Sequence, residues 1–197
     1  MAYFLGIAGT HSTGKSTFID EIEKQAKAKG ILVRRISDTA TRCQEAGFPI
    51  LLNHTFESTL WIIVSVIKAE LEAELGADLV LVDRPVPDAL GYLEAALKAT
   101  GRSITTEERN YLYGVTRLHL SRYALLLKTK LDETIPIGEG RDPNMEFRRS
   151  VDFEIDEVFN QLGVSRVGPY ESTTQSRIEK LLELISTNPR DLIQNRV

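Results

Sequence analysis

Cys43 is the only cysteine in 197 residues. No disulfide framework can form within the chain, and a reducing compartment fits. Cys43 is either a reactive thiol or a small residue set partly in the core. An excess of one charge sign is also missing. There are 24 Lys and Arg against 28 Asp and Glu, a net charge of −4. That balance gives no overall pull towards nucleic acid or anionic membrane, although a local basic patch is allowed. Long hydrophobic runs are absent: the longest, residues 60–67, is far short of a bilayer span. No internal repeat, low-complexity block or basic leader is visible, so a cytoplasmic protein without membrane contact is expected. What remains is an ordinary composition, 42 % hydrophobic and 26 % charged, in a length that suits one domain with a full core.

Against that background one stretch stands out: Gly9-Thr10-His11-Ser12-Thr13-Gly14-Lys15-Ser16. It matches G-x-x-x-x-G-K-[ST], the phosphate-cradling P-loop or Walker A element. Residues 3–8 before it form a short apolar run of strand type. Phe18, Ile19, Ile22 and Ala26 after it recur at helical spacing. Strand, glycine loop and helix come in the order the motif requires. Gly9 and Gly14 let the backbone bend and come close to a ligand. Successive N–H groups then face one concavity at the positive end of a helix dipole. Lys15 adds a full charge for the β- and γ-phosphates, and the Ser16 hydroxyl can sit on Mg²⁺. His11, Ser12, Thr13 and Thr17 complete the cofactor-binding set. ATP is the expected donor.

The rest of the chain reads as strands alternating with helices. Residues 31–36 form a strand that ends in the polar run 37–42. Asp38 there is either a general base or hydroxyl holder, or the cap of the next helix. Asn53 or Thr55 opens a long helix to about Leu75. Trp61 on it either stacks on a base or packs in the core. Residues 77–82 form a Leu/Val strand covered on both faces, and Asp83 at its end takes the Walker B position as a second holder of Mg²⁺. Arg84 comes next at the same edge, placed to grip an acceptor. Helices are expected over 89–98 and, from a Thr105/Glu108 capping box, over 106–120. His119 is read as a surface residue facing the helix dipole. A fourth strand covers 123–128. Residues 137–150 carry Arg141, Arg148 and Arg149 among glycines and a proline, a mobile lid in which Arg141 and Arg148 suit a transferring phosphoryl group. A helix over 151–162, a short fifth strand over 164–167 and a last helix from Ser172 complete the chain. The fold expected is therefore α/β, a three-layer P-loop NTPase fold: a five-stranded, mainly parallel sheet with helices on both faces. It forms a single domain over 1–187 with a polar tail over 188–197.

This arrangement resembles the small P-loop nucleoside and nucleotide kinases. It is similar to bacterial and phage kinases allied to the nicotinamide-riboside kinase domain, and to thymidylate and deoxynucleoside kinases. Five features carry the likeness: residues 9–17, the acid and arginine at Asp38 and Arg42, Asp83-Arg84, Gly140-Arg141, and the arginine-bearing segment into helix 151–162. The chain departs from the family at two points, with Asp38 where Glu is frequent and Glu139 where Asp is. The resemblance implies Mg²⁺-dependent phosphoryl transfer from ATP. Lys15 would hold donor phosphates, and Ser16 and Asp83 the metal. Asp38, Arg42 and Arg84 would face a nucleoside or nucleotide acceptor, with Arg141 and Arg148 closing over the γ-phosphate.

Other readings compete. A P-loop ATPase or GTPase could act as a switch with no acceptor. Thr129-Lys130-Leu131-Asp132 faintly resembles a guanine-reading element, but Asp83-Arg84-Pro85-Val86 lacks the glycine of D-x-x-G. A modified base hydroxyl within DNA is a more remote acceptor, and nucleic acid is otherwise not an expected partner. A homodimer is compatible with the sequence.

Overall fold

The apolar stretch at the amino end is the strand from which the sheet is laid out. A computed structural model describes residues 1–138, 142–165 and 167–187. Strand β1, Tyr3–Ala8, pairs in parallel with β3, Leu79–Asp83, on one side and with β4, Tyr123–Lys128, on the other. Strand β2, Val33–Ile36, pairs in parallel with β3, so the order is β2-β3-β1-β4. Parallel pairing puts every strand's carboxyl end on one edge. The loop after Ala8, the acid Asp83, the turn after Ile36 and Thr129 therefore meet there, as ligand sites of open α/β sheets require.

The fifth strand expected over 164–167 is corrected: among the described residues the sheet has four strands. The Val167 carbonyl still accepts from the Lys128 N–H at 3.1 Å, beside β4. The segment is short, and Gly168-Pro169 comes at once, where proline has no N–H to continue a ladder.

Helices cover both faces. On one, α3, Phe56–Glu74, and α4, Val86–Thr100, set Ile63, Val66, Leu90 and Leu93 against Phe4, Val80 and Val82. On the other, α1, Lys15–Ala28, and α7, Ser172–Thr187, set Phe18, Ile19, Ile178 and Leu182 against Leu5, Ile7 and Leu81. Helix α6, Met145–Leu162, packs Val151, Ile155 and Phe159 onto Tyr92 and Ala96 of α4. A short helix α2, Thr39–Glu45, and a 3-10 turn, Leu51–Asn53, close one side of the carboxyl edge. Helix α5, Thr106–Leu120, opens on the expected Thr105/Glu108 box. Thr55 and Ser58 form the equivalent box on α3.

Several elements begin elsewhere than periodicity suggests. Helix α4 starts at Val86, with Pro87 inside its first turn, where a missing N–H costs nothing. Helix α6 starts at Met145, because the Asn144 side chain accepts from the Phe147 N–H at 2.9 Å. His119 is not a surface residue. It is 8 % exposed and its Nε2 lies 2.5 Å from Glu70 Oε2, while the Tyr123 hydroxyl donates to the other oxygen. Cys43 is fully buried, and desolvation raises its pKa, as for a packing residue and not a reactive thiol. Trp61 packs against the core beside Phe48. No helix among the described residues is long and apolar enough to cross a membrane.

Candidate functional site

The P-loop turns through three left-handed positions: Gly9 at φ 135°, Ser12 at 54° and Gly14 at 81°, the last capping α1. Gly9 cannot be replaced, since a Cβ there would fall 2.1 Å from Thr129 Oγ1. That contact shows how the loop is supported from below. The Thr129 hydroxyl lies 2.6 Å from Thr13 Oγ1 and donates to the Ala8 carbonyl at 3.2 Å. Thr13 also donates to the Thr10 carbonyl at 3.0 Å. Lys15 is 5 % exposed and its ammonium donates to the Thr10 carbonyl at 2.5 Å. The charge is thereby held at the loop itself, while Ser16 and Thr17 are exposed at its mouth.

From the neighbouring strand end, Asp83 Oδ2 accepts from the Ser16 hydroxyl at 3.4 Å, and Arg35 Nη2 stands 3.9 Å away. Asp83 Oδ1 is buried with no partner among the described residues. A carboxylate with one oxygen on a hydroxyl and the other without a partner is a donor set that fits a hard divalent cation such as Mg²⁺, which takes one or two protein oxygens and completes its shell with water and phosphate. No group of three or more His, Cys, Asp or Glu that could hold a metal occurs among the described residues. The Mg²⁺ arrangement does not need one.

Arg84 adopts φ 67° and turns its guanidinium back over the loop. Its Nη1 donates to Asp88 Oδ2 at 2.8 Å, to the Tyr92 hydroxyl at 2.9 Å and to the Gly9 carbonyl at 3.3 Å. Asp88, 1 % exposed, uses its other oxygen to accept from the Gly9 N–H at 2.8 Å. Asp88 is buried and Arg84 half-buried, and the carboxylate is tolerated there because each of its oxygens finds a donor. The pair thus ties α4 to the first residue of the P-loop.

Beyond Arg84 opens a cavity of about 130 Å³, lined among others by Thr39, Ile50, His54, Arg84, Asp88 and Tyr92. His11 and Asp142 reach its wall, and His11 Nε2 lies 2.9 Å from the Asp142 carbonyl. Burial, with Arg84 and Arg148 nearby, pushes His11 down to about 4. His54 is likewise pushed down to about 4 by burial.

The remaining expected site residues are more scattered. Asp38 is exposed at φ 62° and accepts from the Ser37 hydroxyl at 2.7 Å; its side chain does not cap α2. Arg42 is exposed, with Nη2 3.5 Å from Thr39 Oγ1. Neither lines the cavity, but Thr39, Ala40 and Thr41 between them do. Arg148 is fully buried on α6 and donates to the His11 and Ser12 carbonyls at 3.1 and 3.4 Å. It braces the loop from behind. Arg141 lies outside the described residues. Arg149 pairs with Glu133 on the surface at 2.7 Å.

Asp88, Tyr92, His54 and Thr129 are contributors that sequence reasoning missed. Asp88 stands four residues after Arg84, in the first turn of α4, and that spacing was the available signal. Thr129 comes directly after a parallel strand that ends level with the P-loop. His54 carried no signal in sequence.

A family model described as an AAA domain matches residues 5–167. Nothing matches among curated protein sequences. Among solved structures, NadR protein in complex with NR is similar at 16 % identity and TM-score 0.63, covering 92 % of this chain and 52 % of that one. NadR in complex with NAD and AMP-PNP is similar at 14 % identity and TM-score 0.59, covering 100 % of this chain and 51 % of that one. Deoxyadenosine kinase from M. mycoides with bound dCTP is similar at 15 % identity and TM-score 0.58, covering 93 % and 99 %. The chain spans about half the length of the NadR chains it matches. These likenesses concern the fold, which agrees with the kinase resemblance of the sequence.

Proposed function

Since the chain belongs to the AAA domain family matched over residues 5–167, we propose that it is a small-molecule kinase, transferring the γ-phosphoryl group of ATP to a nucleoside, nucleoside monophosphate or related nucleotide. The observation that carries this is Arg84. One guanidinium contacts the Gly9 carbonyl of the P-loop and also lines the cavity. A donor loop and the cavity beside it thus share a cation, which a switch without an acceptor does not need.

The chemistry consists of positioning and charge stabilisation. The amides of 9–16 and Lys15 would hold the donor phosphates. Ser16 and Asp83 would hold Mg²⁺, which when bound neutralises charge on the β- and γ-oxygens. The acceptor oxygen would attack the γ-phosphorus as the bond to the bridging oxygen breaks and ADP leaves. Where the acceptor is a hydroxyl, Asp38, next to the cavity-lining Thr39, would take its proton. Arg42 and Arg84 would face the acceptor, and Arg141 would close over the γ-phosphate. Arg148 would act by bracing the loop carbonyls, where it now sits.

The test mixes the full chain with ATP·Mg²⁺ and a panel of nucleosides and monophosphates, and measures ADP. Release that depends on one class of acceptor is expected. Release indifferent to the whole panel would favour an ATPase or switch.

A further inference from the structure

Glu70 is a fully buried carboxylate on α3, and the chemistry of the P-loop gives it no task. Both of its oxygens are met from other elements. His119 Nε2, in the last turn of α5, lies 2.5 Å from Oε2. The Tyr123 hydroxyl, at the start of β4, lies 2.5 Å from Oε1. A carboxylate only accepts, so the hydroxyl proton points at Glu70. Burial, and then the Glu70 charge, raise the Tyr123 phenol well above its ordinary range, so it keeps that proton. The lone pairs of Tyr123 Oη are left to face elsewhere, and the Val86 N–H donates to them at 3.4 Å.

The local sequence gives that bond its weight. Residues 84–88 read Arg-Pro-Val-Pro-Asp, and neither proline has an N–H. Between Arg84 and Asp88 the backbone therefore has a single donor, and it goes to Tyr123. The same turn holds Arg84 at φ 67°, a left-handed position that persists only where the surroundings fix it. On one side the Arg84 N–H donates to the Ile7 carbonyl at 3.2 Å. Pro85 lies against Gly6, where an added Cβ would fall 2.9 Å from Pro85 Cβ. On the other side the anchor is Val86, the first residue of α4. Asp88 and Tyr92, which hold the Arg84 guanidinium, follow within two turns of that helix. A shift at Val86 moves them together.

Resting on the kinase reading, we infer that Tyr123, oriented by Glu70 and His119, is a positioning residue for phosphoryl transfer. It anchors the turn that sets Arg84 between the P-loop and the cavity. The three side chains act through Val86 and Arg84, not by touching substrate.

The experiment measures ADP release by the full chain with ATP·Mg²⁺ and the panel of nucleosides and monophosphates. It then takes kcat and KM for the acceptor that the wild type uses, the Kd for ATP·Mg²⁺ by calorimetry, and a melting curve that sets an assay temperature at which each protein is folded. Tyr123→Phe keeps the ring and removes only Oη. It should lower kcat/KM for the acceptor by about ten- to hundredfold, as a misplaced positioning group does. The Kd for ATP·Mg²⁺ should change far less, since Thr129 and Arg148 hold the P-loop independently. Glu70→Gln still accepts the hydroxyl proton on its amide oxygen and donates to His119, so it should keep near wild-type kinetics. Glu70→Leu frees the hydroxyl to turn and should fall with Tyr123→Phe. Should Glu70→Leu fail to fold, Tyr123→Phe and Glu70→Gln decide alone. Acceptor-dependent release that Tyr123→Phe leaves unchanged, whatever its Tm, would overturn the inference and leave the kinase intact. So would a loss shared equally by Glu70→Gln, or one matched by an equal rise in the Kd for ATP·Mg²⁺. Release indifferent to the whole panel would overturn both.

Discussion

At His54 the ring is 3 % exposed and Nδ1 lies 3.1 Å from the Leu51 carbonyl, which can only accept, so the single proton sits on Nδ1; Arg84 and Arg102 add to the burial that keeps a second proton off. The unfolded chain binds that proton near pH 6.5, the folded one only near 4. The depressed value gives a stabilisation fully present above pH 6.5 and lost as pH falls towards 4, because the unfolded state then binds more protons. This one ring should steepen the fall by up to about 1.4 kcal/mol per pH unit. Urea melts between pH 7 and 5 check this. The slope should flatten in His54→Gln, and an unchanged slope would place the response elsewhere. Asp38 is tested by rate: Asp38→Asn should lower kcat by about 10²–10⁴-fold if it takes the hydroxyl proton. A change confined to the acceptor KM would make it a binding residue only. The loop residues were legible in sequence because a backbone nest demands glycine and lysine at fixed spacing. His54 and Asp88 were not, since what matters is which buried atom lacks or finds a partner, and that is decided by three elements meeting in space.

Helix α4 borders the carboxyl edge of the sheet, holding Asp88 and Tyr92 while α6 packs across it at Gly91. A methyl at Gly91 would stand 2.4 Å from Ile155 Cγ1 and 3.0 Å from the Ile155 backbone. Backbone cannot swing aside as a side-chain tip can, so Gly91→Ala should cost about 1–3 kcal/mol. Gly114 on α5 has nothing within 4 Å of such a methyl. Gly114→Ala should therefore be neutral or stabilise by about 0.5–1 kcal/mol. Thermal melts of both variants separate close packing from helix propensity; equal falls would rule out the packing account. At this scale, strand and helix order was readable because apolar period and caps are local. The errors fell where a local signal met a distant one. Pro87 resembles a breaker but sits in a first turn. Arg148 resembles a lid residue, but its helix begins six residues before the apolar period shows, so it faces inward to the His11 and Ser12 carbonyls. His119 looks exposed until Glu70, 49 positions earlier, is brought beside it.

The molecule as a whole joins its two faces at the carboxyl edge of the sheet, where the P-loop, Asp83 and Arg84 each close a strand or open a helix. A ligand gripping that edge binds only the folded state, so its binding must appear as stability. At a concentration of ATP·Mg²⁺ a hundred times its Kd, the gain is about 2.7 kcal/mol. For a chain of this size that raises Tm by roughly 5–10 °C. The shift should divide between two anchors. Lys15→Met removes the ammonium that the Thr10 carbonyl holds in place and should erase most of the shift. Asp83→Asn takes the charge from the Asp83–Ser16 pair. It should keep the part seen with ATP and EDTA while losing the increment that Mg²⁺ adds. Scanning calorimetry of the three proteins with ATP, with and without Mg²⁺, checks this. A wild-type Tm that ATP leaves unmoved at every Mg²⁺ concentration would remove the donor site from the P-loop. A Mg²⁺ increment that survives in Asp83→Asn would put the ion on other oxygens, and the unpartnered Asp83 Oδ1 would then need a different explanation.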